Sequence, residues 1–407
     1  MLARLEQGDG MERFDPGAAT AAWLAQVPPE AHAKAQAYTQ GGYWLLLWGT
    51  LASVAAAWLI LRSGVLERLR DQLERRRPRP VLTSFVLGLA FTAAAALLTL
   101  PWTAYARWWR EKAYGLNNQT FGAWLGETAV SAALAAAGAA LFYIGLYALI
   151  RRTGRAWWAW GAGLASLAIL VLGVIAPAFI LPLFNDYKPA PPGPVRDAVV
   201  QLAEATGTPS DRIFVYDGSR QSSRYTANVT GLFGTAQINL SDAMLERATL
   251  PEVRAVVGHE IGHYREQHIL WQAGALAVLA ALAFWIVDRS FAYTARVLRA
   301  DRVRGLADPA GLPVLSVILA VLSLLATPVL NSLVRIGEER ADVFSLRHAR
   351  EPDGLASALV KMVEYRAARP SRLEELIFYS HPSVERRVRR AMEWKLRNET
   401  ALRPADG

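Results

Sequence analysis

The chain has 407 residues, of which 53% are hydrophobic, 14 are Trp and only 19% are charged, against about 25% charged in typical globular domains. It contains no cysteine, which excludes disulfides and thiolate metal sites. The formal charge of +9 does not point to nucleic acid: the arginines cluster between apolar runs, without the basic-aromatic interleaving of a nucleic-acid surface.

Residues 1–40 lack the basic start and apolar core of a cleavable signal, so they read as a non-membrane N-terminal segment. Apolar stretches follow near 43–61, 81–102, 128–150, 157–182, 269–287 and 312–334. Each approaches the ~20 residues that cross ~30 Å of hydrocarbon as a helix. Backbone hydrogen-bond demand in lipid makes them helices rather than strands. Trp44, Trp102, Trp157 and Trp271 lie at span ends, as in an interfacial aromatic belt. The expected fold class is therefore a mainly α, polytopic membrane protein with six transmembrane helices and a small α+β domain. Four spans occupy 41–184, and a two-span hairpin occupies 268–334.

The α+β domain is assembled from 185–267 and 335–407, on either side of that hairpin. "PAPPGP" (189–194) stops the fourth span, and 195–207 has helical periodicity with a terminal glycine. "IFVYD" (213–217) and "AQINLS" (236–241) read as strands, and the glycine-ended 224–234 between them is β-prone. Residues 335–400 are helical and charged. The segments 62–80, 151–156 and 288–311 hold 15 arginines, whereas 1–41 and 103–127 hold six Lys plus Arg. The positive-inside rule puts the Arg-rich loops in the cytoplasm and the α+β domain on the opposite side.

Three of the six histidines fall within "VVGHEIGHYREQH" (256–268). His259 and His263 are four apart and share a helix face, so two imidazoles can grip one cation. Glu260, beside the first ligand, is close enough to take a proton from water activated by the metal. This points to one catalytic Zn²⁺ per chain, which needs a third protein ligand. His268, His348, His381 or a carboxylate can supply it. Glu338 and Asp342 in "GEERAD" share a helix face four residues apart; if Glu338 is the ligand, Asp342 is placed to hydrogen-bond a ligand histidine. Glu339 points about 100° away round the helix. In "YSHPSVERRV", His381 and Arg387 are candidates to stabilise an oxyanion.

"HEIGH", "EERAD" and "HPSVERRV", in that order, resemble the type I CAAX prenyl proteases, integral-membrane zinc metallopeptidases of the gluzincin kind. "LPWTAYARWWREKAYGLNNQT" (100–120), "IAPAFILPLFNDYKP" (175–189) and "SSRYTANVTGLF" (222–233) are similar to further segments of that family. The resemblance implies Glu338 as third zinc ligand, Asp342 as its supporting carboxylate, and His381 and Arg387 beside the catalytic centre. It implies that Thr226, Ala227, Asn228 and Val229 form an edge strand along which an extended peptide lies. It further implies a chamber walled by the membrane helices, and a peptide or protein substrate, lipidated or membrane-inserted forms included. Asn228 stands where the family carries an aromatic residue. The Ala- and Arg-rich, cysteine-free composition fits a bacterial inner-membrane protein. Two rival readings are an intramembrane protease with its motif inside a span, and a non-enzymatic chaperone or lipid-handling chamber with a vestigial metal site.

Overall fold

The computed structural model describes residues 14–231 and 234–398. Leu232 and Phe233 of the 224–234 stretch, residues 1–13 and residues 399–407 lie outside the described residues. The described chain begins with the short α1 (Pro16–Ala25), followed by the long α2 (Pro29–Ser63), which passes through the first expected span without a break. After α3 (Val65–Glu74), α4 (Pro80–Ala104) continues through a π-helical turn into α5 (Arg110–Ala113). Then come α6 (Phe121–Thr153) and α7 (Trp157–Ile175), the latter extended by a second π turn at Ala176–Ile180. Each π turn lies at or near a proline, Pro101 or Pro177, which cannot donate the regular helical bond.

Among the described residues, five continuous helical stretches are long and apolar enough to cross a membrane: Pro29–Ser63, Pro80–Ala113, Phe121–Leu183, His268–Val297 and Pro309–His348. The count differs from the six expected because the third and fourth expected spans fall within one stretch, 121–183. That stretch reverses at Gly154, whose φ of 52° is left-handed. A Cβ on Gly145 would meet Leu164, and one on Gly161 would meet Leu146, so α6 and α7 run antiparallel in close contact.

The domain that follows holds β1 (Tyr187–Pro189), α8 (Pro194–Ala205), β2 (Ile213–Tyr216), β3 (Ala227–Thr230), β4 (Gln237–Ser241) and α9 (Asp242–Arg247). The strands form one sheet in the order β1-β2-β4-β3, with β4 parallel to β2 and antiparallel to β3. β3 is thus an edge strand. Ile238, Leu240, Val253, Val257 and Ile261 are fully buried between the sheet and α10 (Leu250–Arg265). α10 starts on a Thr249–Glu252 capping box with Pro251 in its first turn. It stops at Gln267, whose φ is 54°, before α11 (His268–Val297) begins.

α12 (Leu312–His348) is one 37-residue helix that carries the sixth expected span straight into the soluble domain. α13 (Pro352–Lys361), α14 (Arg372–Phe378) and α15 (Val384–Arg397) complete the fold. The three Arg-rich segments meet at one end. Arg70 pairs with Asp308 while Arg304 bridges to Asp71 and Glu74 at 2.9 and 3.0 Å, and Arg151 lines the same cleft.

α10 crosses α12 on two glycines. A Cβ on Gly258 would lie 3.1 Å from the Ala349 Cβ and the Ser345 Oγ. One on Gly262 would lie 3.0 Å from the Phe344 Cβ and 3.1 Å from the Ala341 Cα. Gly262→Val forces the helices apart and should destabilise the protein by about 1–3 kcal/mol. Thermal unfolding in detergent measures this, with Gly122→Ala, which meets nothing within 4 Å, as the control that should not shift.

Candidate metal centre

The close crossing of α10 and α12 puts Glu338 over the two imidazoles of α10. The Glu338 Oε2 lies 3.2 Å from the His259 Nε2, the Glu338 Oε1 lies 3.4 Å from the His263 Nε2, and the two Nε2 atoms are 3.1 Å apart. Three ligand atoms around one zinc, each at about 2.0–2.1 Å in a tetrahedron, sit about 3.3–3.4 Å from one another. The observed spacings are close to that. His259, His263 and Glu338 form the one such group of three or more possible ligands among the described residues. The buried Oε2 of Glu338 accepts no well-directed hydrogen bond, as expected of an oxygen whose partner is a cation. The donor set of two imidazoles and one carboxylate therefore fits a divalent metal.

The supporting contacts are buried. The Asp342 Oδ1 lies 2.9 Å from the His259 Nδ1, and Arg387 donates to Asp342 from Nε at 2.8 Å and from Nη2 at 2.7 Å. Arg387 thus clamps the carboxylate that orients His259. On the other ligand, the His268 Nδ1 lies 2.8 Å from the His263 Nδ1. His268 therefore stands behind a ligand rather than among the three. His348 points elsewhere, with its Nδ1 2.9 Å from the Phe344 carbonyl oxygen. Glu339 faces Arg386 and Arg390, each at 3.4 Å.

Burial alone would depress the His259 pKa, but its hydrogen bonds to Asp342 and Glu338, with their charges, push it up to about 10. The site is built to hold positive charge. Burial also raises the Glu260 carboxyl above its ordinary value, against the pull of the two histidines. Among the described residues its carboxylate forms no hydrogen bond or ion pair, and it lines a cavity of about 180 Å³. Burial, with the charge of Arg366, lowers the His381 pKa to about 3, so its imidazole is neutral. The His381 Nε2 stands 3.2 Å from the Glu338 Oε2.

Thr226 and Ala227 line the same cavity, at the start of β3. Asn228 lies opposite Asn239 on β4 and accepts a 2.8 Å hydrogen bond from its amide. A polar residue at that position is thereby accounted for. Val229 packs on the domain core. Tyr225, Tyr365 and Arg366 also line the cavity; no motif or helical spacing in the sequence singled them out.

Residues 189–395 match peptidase family M48, and residues 18–186 match the CAAX prenyl protease N-terminal region, described as five membrane helices. The chain belongs to peptidase family M48. It is 25% identical to the uncharacterised metalloprotease YhfN of Bacillus subtilis (strain 168), over 90% of this chain and 86% of that one. It is 34% identical to CAAX prenyl protease 1 of Saccharomyces cerevisiae, over 45% of this chain and 41% of that one. Its fold resembles that of S. mikatae Ste24p, with a TM-score of 0.71 and 22% identity, covering 93% and 95% of the two chains. This M48 peptidase is an integral-membrane metalloprotease acting on peptide or protein substrates. A non-enzymatic chamber is not favoured. The family implies a metal, and the His259–His263–Glu338 cluster is where this chain can hold it.

His259→Ala and Glu338→Gln should each abolish retention of a divalent metal through dialysis. Asp342→Asn should weaken affinity about 10–100-fold while leaving the ligands in place. Metal content by mass spectrometry and competition with a chromogenic chelator measure both.

Proposed function

We propose that this M48 peptidase is a zinc-dependent endopeptidase with one Zn²⁺ per chain, held by His259, His263 and Glu338. The observation that carries the reading is the Glu260 carboxylate. Among the described residues it has no hydrogen-bond or ion-pair partner, and it lines the same cavity as His259 and Glu338 of the cluster. When bound, zinc supplies a Lewis acid that acidifies water and polarises the scissile carbonyl. Glu260 accepts the proton of the attacking water and passes it to the leaving amine. Its burial-raised pKa suits a group that must both take and release that proton. The neutral His381 imidazole donates to the developing oxyanion. Arg387 commits its Nε and Nη2 to Asp342 and so helps position His259.

An extended substrate adds to the free edge of β3, with Thr226 and Ala227 at the cavity and Asn228 and Val229 continuing the strand. Backbone pairing there would keep the peptide straight and turn its carbonyl toward the cavity lined by Glu260 and His381. The motif helix α10 ends before the apolar α11 begins, which favours chemistry beside the membrane rather than within a span.

The 121–183 stretch crosses twice in this reading, giving six spans, because α6 and α7 are antiparallel and each is long enough on its own. The peptidase unit is built from 185–267 and 335–407, on either side of the 268–334 hairpin. An apolar cleft of about 780 Å³ between the membrane helices, lined by Phe142, Leu146, Phe284 and Leu315 among others, supports a chamber able to take lipidated or membrane-inserted substrates. Along α12, Glu338 lies roughly 40 Å from the Arg-rich end at 1.5 Å per residue, more than the ~30 Å of hydrocarbon. The charge bias then supports a site on the non-cytoplasmic face of a bacterial inner membrane.

Glu260→Gln should retain full zinc yet lose nearly all turnover of peptide libraries read by mass spectrometry. Wild-type cleavage rates in that variant would sink the mechanism. For topology, the chain lacks cysteine, so single substitutions are clean probes. In intact cells an impermeant maleimide should label Arg212→Cys and spare Arg155→Cys; the reverse pattern inverts the orientation.

A further inference from the structure

We propose that Arg366 is the cavity residue that binds a carboxylate of the substrate; the proposal rests on the peptidase reading and names a determinant of its specificity. Two arginines line the catalytic cavity and a third, Arg224, stands against its Tyr365, and their charges are settled differently. Arg387 is matched by Asp342, with two hydrogen bonds. Arg224 is matched by Glu111 at 2.8 Å, and its guanidinium lies 4.8 Å from the centre of the Tyr365 ring. Arg366 lines the cavity with its guanidinium 5.9 Å from the centre of the Tyr365 ring, and among the described residues no carboxylate or hydrogen-bond acceptor meets it.

The cavity's own carboxylates are committed elsewhere, Glu338 to the metal cluster and Glu260 to proton transfer. A metal ion there adds positive charge that those two offset, which leaves the Arg366 charge uncompensated. A half-buried guanidinium without a counter-ion is costly, and its planar fork suits a carboxylate presented by a ligand. The position is also fixed in advance. The Ala367 backbone N–H donates to the Thr39 Oγ1 of α2 at 2.8 Å, and the Tyr379 hydroxyl donates to the Ala367 carbonyl at 3.3 Å. The segment bearing Arg366 is therefore tied to the membrane part on one side and to the turn before His381 on the other. Burial lowers the Arg366 pKa, and the Arg366 charge helps hold the His381 imidazole neutral. Both effects agree with a cation facing the reaction space.

The carboxylate can come from the free C-terminus of a peptide or from an Asp or Glu side chain, and the test separates these. Full-length, zinc-loaded Glu260→Gln protein in detergent is titrated with a fluorescein-labelled Ala/Leu decapeptide in three forms. One ends in a free carboxylate, one in an amide, and one in an amide with a single internal Glu; binding is read by anisotropy. A charge-assisted contact should make one carboxylate form bind roughly 10- to 100-fold more tightly than the plain amide. Tighter binding of the first form assigns the C-terminus, and of the third the side chain. Adding Arg366→Ala or Arg366→Gln should bring that ratio close to one, and Arg366→Lys should restore part of it. Equal binding of all three forms, no binding of any form, or an equal loss for all three on Arg366→Ala overturns the proposal. Because binding is read without turnover, a wild-type protein that cleaves none of the peptides its Glu260→Gln variant binds selectively would refute the peptidase reading and leave this assignment standing.

Discussion

The close crossing of α10 and α12 is the constraint on which the site depends. Two helices approach within van der Waals distance of backbone only where side chains are missing, and Gly258 and Gly262 provide that on one face of α10. The adjoining face presents His259 and His263. The glycines and the histidines are each four residues apart, so the bare stripe and the ligand stripe run side by side along the helix. The same geometry that lets α12 dock therefore delivers Glu338 to within 3.4 Å of both imidazoles. Wider separation would leave a carboxylate and two histidines with no shared cation.

Electrostatics then fixes what the packing has brought together. Glu338 and Asp342 are almost wholly removed from solvent, a cost repaid only by specific partners. Asp342 has Arg387, and the pair are 1% and 5% exposed. Stripping one partner from a buried pair of this kind costs about 3–5 kcal/mol, even where the intact pair adds little net stability. The bond from Asp342 to His259 links that pair to the metal cluster, and α15, which carries Arg387, becomes part of the site although no atom of it ligates. Among the described residues Glu338 meets no Lys or Arg, only the imidazoles of His259, His263 and His381. The surroundings of the triad thus favour a metal before the identity of the metal is considered.

Much of this was legible in the sequence because it is carried by short-range periodicity. The i, i+4 spacings of His259 with His263 and of Glu338 with Asp342 survive folding unchanged, since each pair sits in an unbroken helix. The strands 213–217 and 236–241 emerged within a residue or so of their expected limits. What escaped was set by tertiary contact. Tyr365 and Arg366 reach the cavity from the bend that follows the Met362–Glu364 turn, and Tyr225 from the loop before β3, where no period announces a direction. Arg387 lines the cavity, but a charge count along α15 cannot reveal that its Nε and Nη2 also bond to Asp342. The reversal between α6 and α7 rests on Gly154 alone, so two apolar runs and one continuous helical stretch describe the same segment.

The continuity of α12 joins the two halves of the protein. A helix that begins beside the Arg-rich cluster and ends in the peptidase domain has no hinge between its membrane part and Glu338, apart from Pro328. Pro328 leaves the Leu324 carbonyl without its helical donor, but the helix runs on, and the Ser332 hydroxyl donates to the Pro328 carbonyl at 2.7 Å in the next turn. A rigid rod of this kind sets the height of the third ligand above the membrane by residue count, while α11 and the left-handed turn at Gln267 set the height of the histidines. The two heights must agree for the triad to close. An insertion or deletion in either span therefore acts on the metal centre directly, and the membrane helices are part of the ligand geometry, not only an anchor for it.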